Sequence, residues 1–417
     1  MSNQDSGDDT VPRRSWPKWA ALIALFTLTI LALVAYFAVW PALRPAIGPV
    51  PKVTKPAEKK TAADGANQTG LPLRIPAGFE IETFAEDLGP VRFMALDEHG
   101  VLLVSVTGSG KVLALPDQNL DGKADEVITL IAGLDLPHGL AFYKNFLYVA
   151  ETDKVLRYNY SSSTGNEIAI KISDPTVIVS DLPSGGGHFT RTLGFGPDGK
   201  MYVSVGSSGN ILKESDTRRA AILRFNPDGT GAEVYARGLR NSVGFRWHPV
   251  TKEIWATDNG RDFLGDDLPP DEINIVKKGG DYGWPYAYGN RITDPEFDDP
   301  ERAAKTVPPK IEIQAHSAPL GLTFYDSPAF GSAYEGDLFV CFHGSWNRSV
   351  PTGYKVVRYH LKGTRKDQVV FKQDFITGWL TPQGALGRPV DIIVGADEAV
   401  YISDDKGERI YRVSKIQ

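Results

Sequence analysis

An imidazole and a guanidinium stand three residues apart in GGGHFTRTLGFGPDGKMYVSVGSSGN, which runs from Gly185 to Asn210. A histidine titrates near neutrality when unperturbed, so neutral His188 is a proton acceptor of suitable strength. The residues around it read as strand, turn and strand. Pro197, Asp198 and Gly199 make the turn, because proline presets φ and glycine accepts φ > 0. Met201 to Val205 is β-rich and breaks at Gly206. His188 and Arg191 therefore sit just before the first strand of a hairpin, on backbone that the hairpin holds.

The same unit recurs. An apolar run, a turn and a second β-rich run start at Phe93, Gly139, Leu193, Val243, Leu320 and Val390. Most copies continue into a third strand with a basic or aromatic mark: KVLALPD, KVLRYNY, AILRFNP, KVVRYHL and RIYRVSK. Repeats of about 45 to 80 residues with several strands each indicate propeller blades. No long amphipathic helix separates them, so the expectation is all-β, a six-bladed propeller of four-stranded blades. FEIETFAED, from Phe79, precedes the first copy and belongs to no other. It is expected to supply the outer strand of the last blade, which closes the ring and removes an exposed edge.

In a propeller the residues just before each innermost strand gather at one mouth of the central channel. Here they are Arg92, His138, His188 with Arg191, Arg240 with Asn241, His316, and Arg388. Each carries a cation or an imidazole. Clustered guanidinium groups bind carboxylates through directed, charge-assisted hydrogen bonds, so this mouth suits a small ligand bearing several carboxylates.

The rest of the chain supports that frame. The net charge of −6 argues against a general nucleic-acid binder. A single cysteine, Cys341, excludes an internal disulfide. Residues 1–18 form a polar tail with Arg13, Arg14 and Lys18. Residues 19–40, WAALIALFTLTILALVAYFAVW, carry no charge and have tryptophan at both ends. That length spans about 30 Å of hydrocarbon as a helix, and the rings suit the interfaces. The expectation is an uncleaved single-pass anchor in a bacterial inner membrane, N-terminus cytoplasmic. Residues 41–71, rich in Pro, Ala and Lys, read as a flexible linker. Residues 72–417 then form the propeller, in the periplasm.

Longer stretches carry a likeness to a known family. They are LPHGLAF at Leu136, GHFTRTLGFGPDGKMYVSVGSSGN at Gly187, GLRNSVGF at Gly238 and DNGRDFLGDDLPPDEIN at Asp258. GGDYGWPYAYG at Gly279, HSAPLGLTFY at His316, HGSWNR at His343 and GRPVD at Gly387 complete them. Over residues 72 to 415 the chain resembles the soluble quinoprotein sugar dehydrogenases, most closely the L-sorbosone dehydrogenase branch. The resemblance implies pyrroloquinoline quinone (PQQ), calcium, and oxidation of an aldose, pyranose or sugar aldehyde by hydride transfer to the quinone. No C-x-x-C-H occurs, so electrons are expected to leave to a separate quinone or cytochrome.

The resemblance also implies roles. His188 matches the base that takes the proton from the anomeric hydroxyl. Arg240 and Asn241 match the pair that contacts the quinone, with Arg240 stabilising developing charge. Arg388 matches a carboxylate-binding arginine, and Arg348 stands where other branches carry a lysine near the cofactor. His138 and His316 are expected on the substrate side. Trp346 is either a wall for cofactor or sugar, or a packed core tryptophan. Calcium is expected on the backbone carbonyls of Gly260 and Arg261, with a second ion on Glu272 and the carbonyl of Tyr282. A solvated acidic loop is the competing reading of that stretch.

Three features stand apart. Glucose-oxidising relatives carry an Asp that orients the catalytic histidine, and this chain has Ser207 there. GRPVD places Asp391 where many sorbosone-type members have glycine. DQNLDGKAD has the one-three-five spacing of a calcium loop at Asp117, Asn119 and Asp121, but its twelfth position is Ile128 rather than glutamate. Two other readings remain open from the residues alone. A six-bladed calcium-dependent lactonase would need carboxylates and asparagines in the channel, and a non-catalytic binding propeller would need no base at all.

Overall fold

The computed structural model describes residues 64–163 and 169–416. The expected tail and membrane anchor lie outside the described residues, as does the linker up to residue 63. Among the described residues no helix is long and apolar enough to cross a membrane.

Six sheets follow one another along the chain. The first strands of the six blades are Val91–Leu96, Leu140–Tyr143, Leu193–Phe195, Phe245–Trp247, Pro319–Tyr325 and Pro389–Val394. Each pairs with the strand that follows it, and the sheets grow outward in chain order. The expected closure is present: Phe79–Ala85 pairs antiparallel with Arg409–Lys415, Phe79 opposite Lys415. First and last segments of the propeller thus share blade six. Blade four is the copy without a marked third strand in the sequence. Its third strand is Asp271–Val276, which begins with two carboxylates instead of a basic mark, and its outer strand is Ile311–Ile313.

The second strands are buried on both faces. Leu102–Val106, Met201–Val205, Ile254–Asp258, Asp337–Phe342 and Val400–Asp404 are buried throughout. Side chains alternate across a strand, so each of these feeds two neighbouring cores. Leu103 packs with Leu147 and Val149 of blade two, while Leu102 and Val104 pack with Tyr401 and Ile410 of blade six. Equivalent cores fill every gap between successive blades. Burial at about 25 cal/mol per Å² of apolar surface is the main cohesive term.

Hydroxyls near the ends of these second strands latch neighbouring blades together. Ser105 Oγ donates to His138 O at 2.8 Å, Thr257 Oγ1 to Leu320 O at 2.8 Å, and Ser403 Oγ to Arg92 O at 2.6 Å. Each bond fixes a carbonyl at or beside the start of the next blade's inner strand. At the axis, Phe93, Val243, Leu320 and Val390 form a small apolar cluster. A cavity of about 370 Å³ lies among the innermost strands, lined from all six blades by residues such as Met94, Leu140, Leu193, Arg246, Thr323 and Ile393.

Candidate active site

Three of the residues before inner strands, Arg240, Asn241 and Arg388, are held by the same device. Asp258 ends the second strand of blade four, and its carboxylate accepts from the backbone N–H of Arg240 (3.0 Å) and of Asn241 (2.7 Å). Asp404 ends the second strand of blade six and accepts from the N–H of Arg388 at 2.7 Å. A buried carboxylate thus fixes the backbone from which each arginine leaves. Burial pushes Asp258 up to about 7, although Asn241 and Arg240 pull it down.

On the wall formed by blades three and four, His188 and Asn241 face each other across Gly206. A Cβ at Gly206 would lie 2.6 Å from His188 Cβ and 2.8 Å from Asn241 Oδ1, so only glycine permits this approach. His188 Nδ1 lies 2.9 Å from both the carbonyl oxygen and Oγ of Ser207. Nε2 makes no hydrogen bond with any described residue. Burial, and then Arg240, lowers His188 to about 3, so the imidazole is neutral at ordinary pH. Arg240 spans the wall: Nε donates to Asn210 O (3.0 Å), Nη1 to Asn259 O (3.1 Å) and Nη2 to Asn210 Oδ1 (2.9 Å). Asp262 lies 3.5 Å from Nη2. Burial lowers the Arg240 pKa, yet the group stays charged with these partners.

The opposite wall, from blades five, six and one, is built of pairs. Arg92 Nη1 meets Asp405 at 2.7 Å, and Asp405 also meets His343 Nε2 at 2.9 Å. Burial, partly offset by Asp405, holds His343 down to about 4. Arg92 Nε is buried without a partner. Arg388 Nε donates to His343 O at 3.0 Å and Nη2 to Gly344 O, which leaves Nη1 without a partner among the described residues.

The largely positive set of residues that the sequence suggested is accompanied by acids. Asp405 pairs with Arg92, and Asp262 lies beside Arg240. The sequence places Asp262 in an acidic stretch beside the expected calcium, but it does not show Asp405, which lies 313 residues from Arg92. His343 was quoted in a motif without a role.

Other expected site residues have different surroundings. His138 does not reach the substrate side: it is 0% exposed, its ring is 4.4 Å from that of Phe93, and its Nε2 is unpartnered. Arg191, also 0% exposed, donates to the carbonyls of Thr190 (2.7 Å), His188 (3.1 Å) and Pro183, so it braces the loop. His316 is buried, at φ +65°, with Nε2 2.8 Å from Gly265 O. Arg348 does not present a free cation. Its donors go to Val350 O (3.0 Å), Asp266 O (2.7 Å) and Asp267 (3.1 Å). With Asn347 donating to Asp262 at 2.6 Å, it ties the 262–267 loop to the HGSWNR loop. Trp346 is 39% exposed, edge-on to Phe263, and is not a core tryptophan.

The four expected metal-site residues do come together. Gly260, Arg261, Glu272 and Tyr282 line one void of about 20 Å³, with Asp258 on its wall. Glu272 stands directly across the sheet from Asp258. Its oxygens accept from Gly289 N (2.7 Å) and Asn274 Nδ2 (3.0 Å). Burial, reinforced by Asp258, pushes Glu272 up to about 8. Asp258 and Glu272 are two buried carboxylates across one sheet, and although the Arg240 charge acts on Asp258, they offer the oxygen ligands that a divalent ion prefers. The Arg261 guanidinium pairs at 2.9 Å with Asp294, which also lines the void, and only the Arg261 carbonyl is a ligand for such a role. The Asp117–Asp125 loop, by contrast, satisfies itself: Asp117 accepts from Asp121 N and Gly122 N, and Asp121 from Lys123 N.

A model of the TrAA12-like family matches residues 73–278 and 285–416. A protein of unassigned function from Borreliella burgdorferi is 33% identical over 351 residues, covering 82% of this chain and 90% of its own. A pyrroloquinoline quinone-dependent sugar dehydrogenase of Hypocrea jecorina is 27% identical, covering 67% of this chain and 75% of its own. Among solved structures, the holo form of the pyranose dehydrogenase PQQ domain from Coprinopsis cinerea superposes with a TM-score of 0.71 at 21% identity. That match covers 85% of this chain and all of the other.

Proposed function

The chain belongs to the TrAA12-like family, a family of PQQ-dependent sugar dehydrogenases, and from that membership we propose a PQQ- and calcium-dependent oxidation of an aldose, pyranose or sorbosone-like aldehyde. The observation that carries the reading is His188, a neutral imidazole with Nε2 unengaged, beside Asn241 and Arg240. The donor set fits a tricarboxylate ring. Arg92 Nε is an orphaned buried donor, and Arg388 Nη1 is unspent.

Bound in the mouth, PQQ supplies a quinone that accepts hydride, and calcium supplies the charge that makes it electrophilic. The chain's own residues do the rest. His188 Nε2 takes the proton from the anomeric hydroxyl as the C1 hydride leaves, so the anomeric carbon is oxidised by two electrons. Arg240 and Asn241 orient and stabilise charge on the acceptor side. Arg92 and Arg388 hold carboxylates. Trp346 offers an exposed apolar wall to the sugar. Carbonyls of Gly260, Arg261 and Tyr282, with Glu272, hold calcium, and Glu272→Gln is expected to abolish any rise in melting temperature on adding Ca²⁺.

Electrons pass to an external quinone or cytochrome, and the apolar segment 19–40 anchors the propeller beside it at the periplasmic face of the membrane. The test is reconstitution. The apo-protein is given PQQ and Ca²⁺, and dye reduction is followed across a sugar panel. Sugar oxidation that ignores PQQ rejects the reading, and lactone hydrolysis without the quinone replaces it with a hydrolase.

A further inference from the structure

The role of His188 depends on which ring nitrogen carries its proton, and the neighbours of Nδ1 decide that. Both partners of Nδ1, at 2.9 Å, belong to Ser207. The carbonyl can only accept. The hydroxyl already donates to Gly209 O at 2.7 Å, so toward His188 it too can only accept. Nδ1 must therefore be the donor, and the lone pair falls on Nε2.

The backbone that presents these acceptors is braced from three sides. Ser207 N donates to Arg240 O at 2.8 Å. Ser208 is gripped by Glu214, through N at 2.5 Å and Oγ at 2.8 Å. Ser208 O accepts from Gly187 N at 2.8 Å, beside the histidine itself. The charged groups that face His188 are Arg240, Arg191 and Arg219, all cationic. Among the described residues no carboxylate is hydrogen-bonded to it, and Glu214 is spent on Ser208.

We infer that Ser207 is a positioning residue, which fixes His188 as the Nδ1–H tautomer through neutral oxygens alone and so keeps this base able to accept protons in acid where a carboxylate-paired histidine would be protonated. This rests on the proposed role of His188 but is tested without the cofactor.

The experiment is NMR of the ¹⁵N-histidine-labelled apo-protein, with His188→Gln to assign the ring. The expected result is an Nδ1–H imidazole that does not titrate between about pH 5 and 8. In Ser207→Asp the His188 titration should rise by about one to three pH units. The acid limb of kcat/KM in the PQQ-loaded enzyme should move with it. Ser207→Ala keeps the carbonyl, so the tautomer should survive. An Nε2–H tautomer in the wild type overturns the inference, as does a wild-type His188 titrating in the ordinary range. A Ser207→Asp variant whose titration stays put also overturns it. A protein that passes the NMR test yet shows no PQQ-dependent oxidation fails only the proposed function.

Discussion

The two walls of the mouth each carry a histidine, and they treat it oppositely. On the wall of blades three and four, His188 leans on the carbonyl and hydroxyl of Ser207 and leaves one nitrogen unengaged. On the wall of blades five, six and one, His343 is tied to Asp405, which is tied in turn to Arg92. Burial works to raise Asp405, but His343, by hydrogen bond and charge, and then Arg92 outweigh it and hold the group well below its usual range. A wall whose histidine and acid are already paired, and whose arginines keep a spare donor each, is an anchor. A wall that keeps a lone pair unspent in a half-buried, cationic setting is where a proton can move. The difference separates chemistry from binding within one pit.

That division can be broken in order of expected effect. His188→Ala should lower kcat of the PQQ-loaded enzyme by about 10²- to 10⁴-fold, read by dye reduction at saturating sugar, with the fold intact by circular dichroism. Gly206→Ala should cost about 10²-fold in kcat, because its Cβ would push His188 and Asn241 apart. A near-normal kcat would show that their close approach is not required. Arg92→Gln, on the anchoring wall, should weaken PQQ binding by about 10- to 100-fold while leaving kcat at saturation nearly unchanged. Loss of kcat instead would move the chemistry across the mouth. Arg348→Ala should change PQQ affinity by less than about threefold, since its donors serve loop carbonyls and an exposed carboxylate. A large loss would restore it as a cofactor contact.

Much of this was legible in the sequence, and the reason is periodicity. Strands buried on both faces leave apolar runs such as LLVSV and MYVSV, and turns punctuate them, so six blades and their closure through Phe79–Ala85 could be read directly. Residues just before inner strands also announce themselves by position. What could not be read is pairing. Asp405 answers Arg92 and Asn347 answers Asp262 only because the ring brings distant segments together. The strand Asp271–Val276 does not stand out in the sequence, since Asp271 and Glu272 break the apolar pattern. His138 could not be told from a mouth residue, because one position along a strand decides between channel and core.

The most direct measurement is an anaerobic absorption titration of the apo-protein with PQQ in the presence of Ca²⁺, followed by addition of an aldose. The account predicts saturation at one PQQ per chain and loss of the oxidised-quinone absorbance on adding sugar, with binding retained but the sugar-driven change lost in His188→Ala. No saturable binding, or an absorbance that sugar leaves untouched in the wild type across the panel, would contradict it.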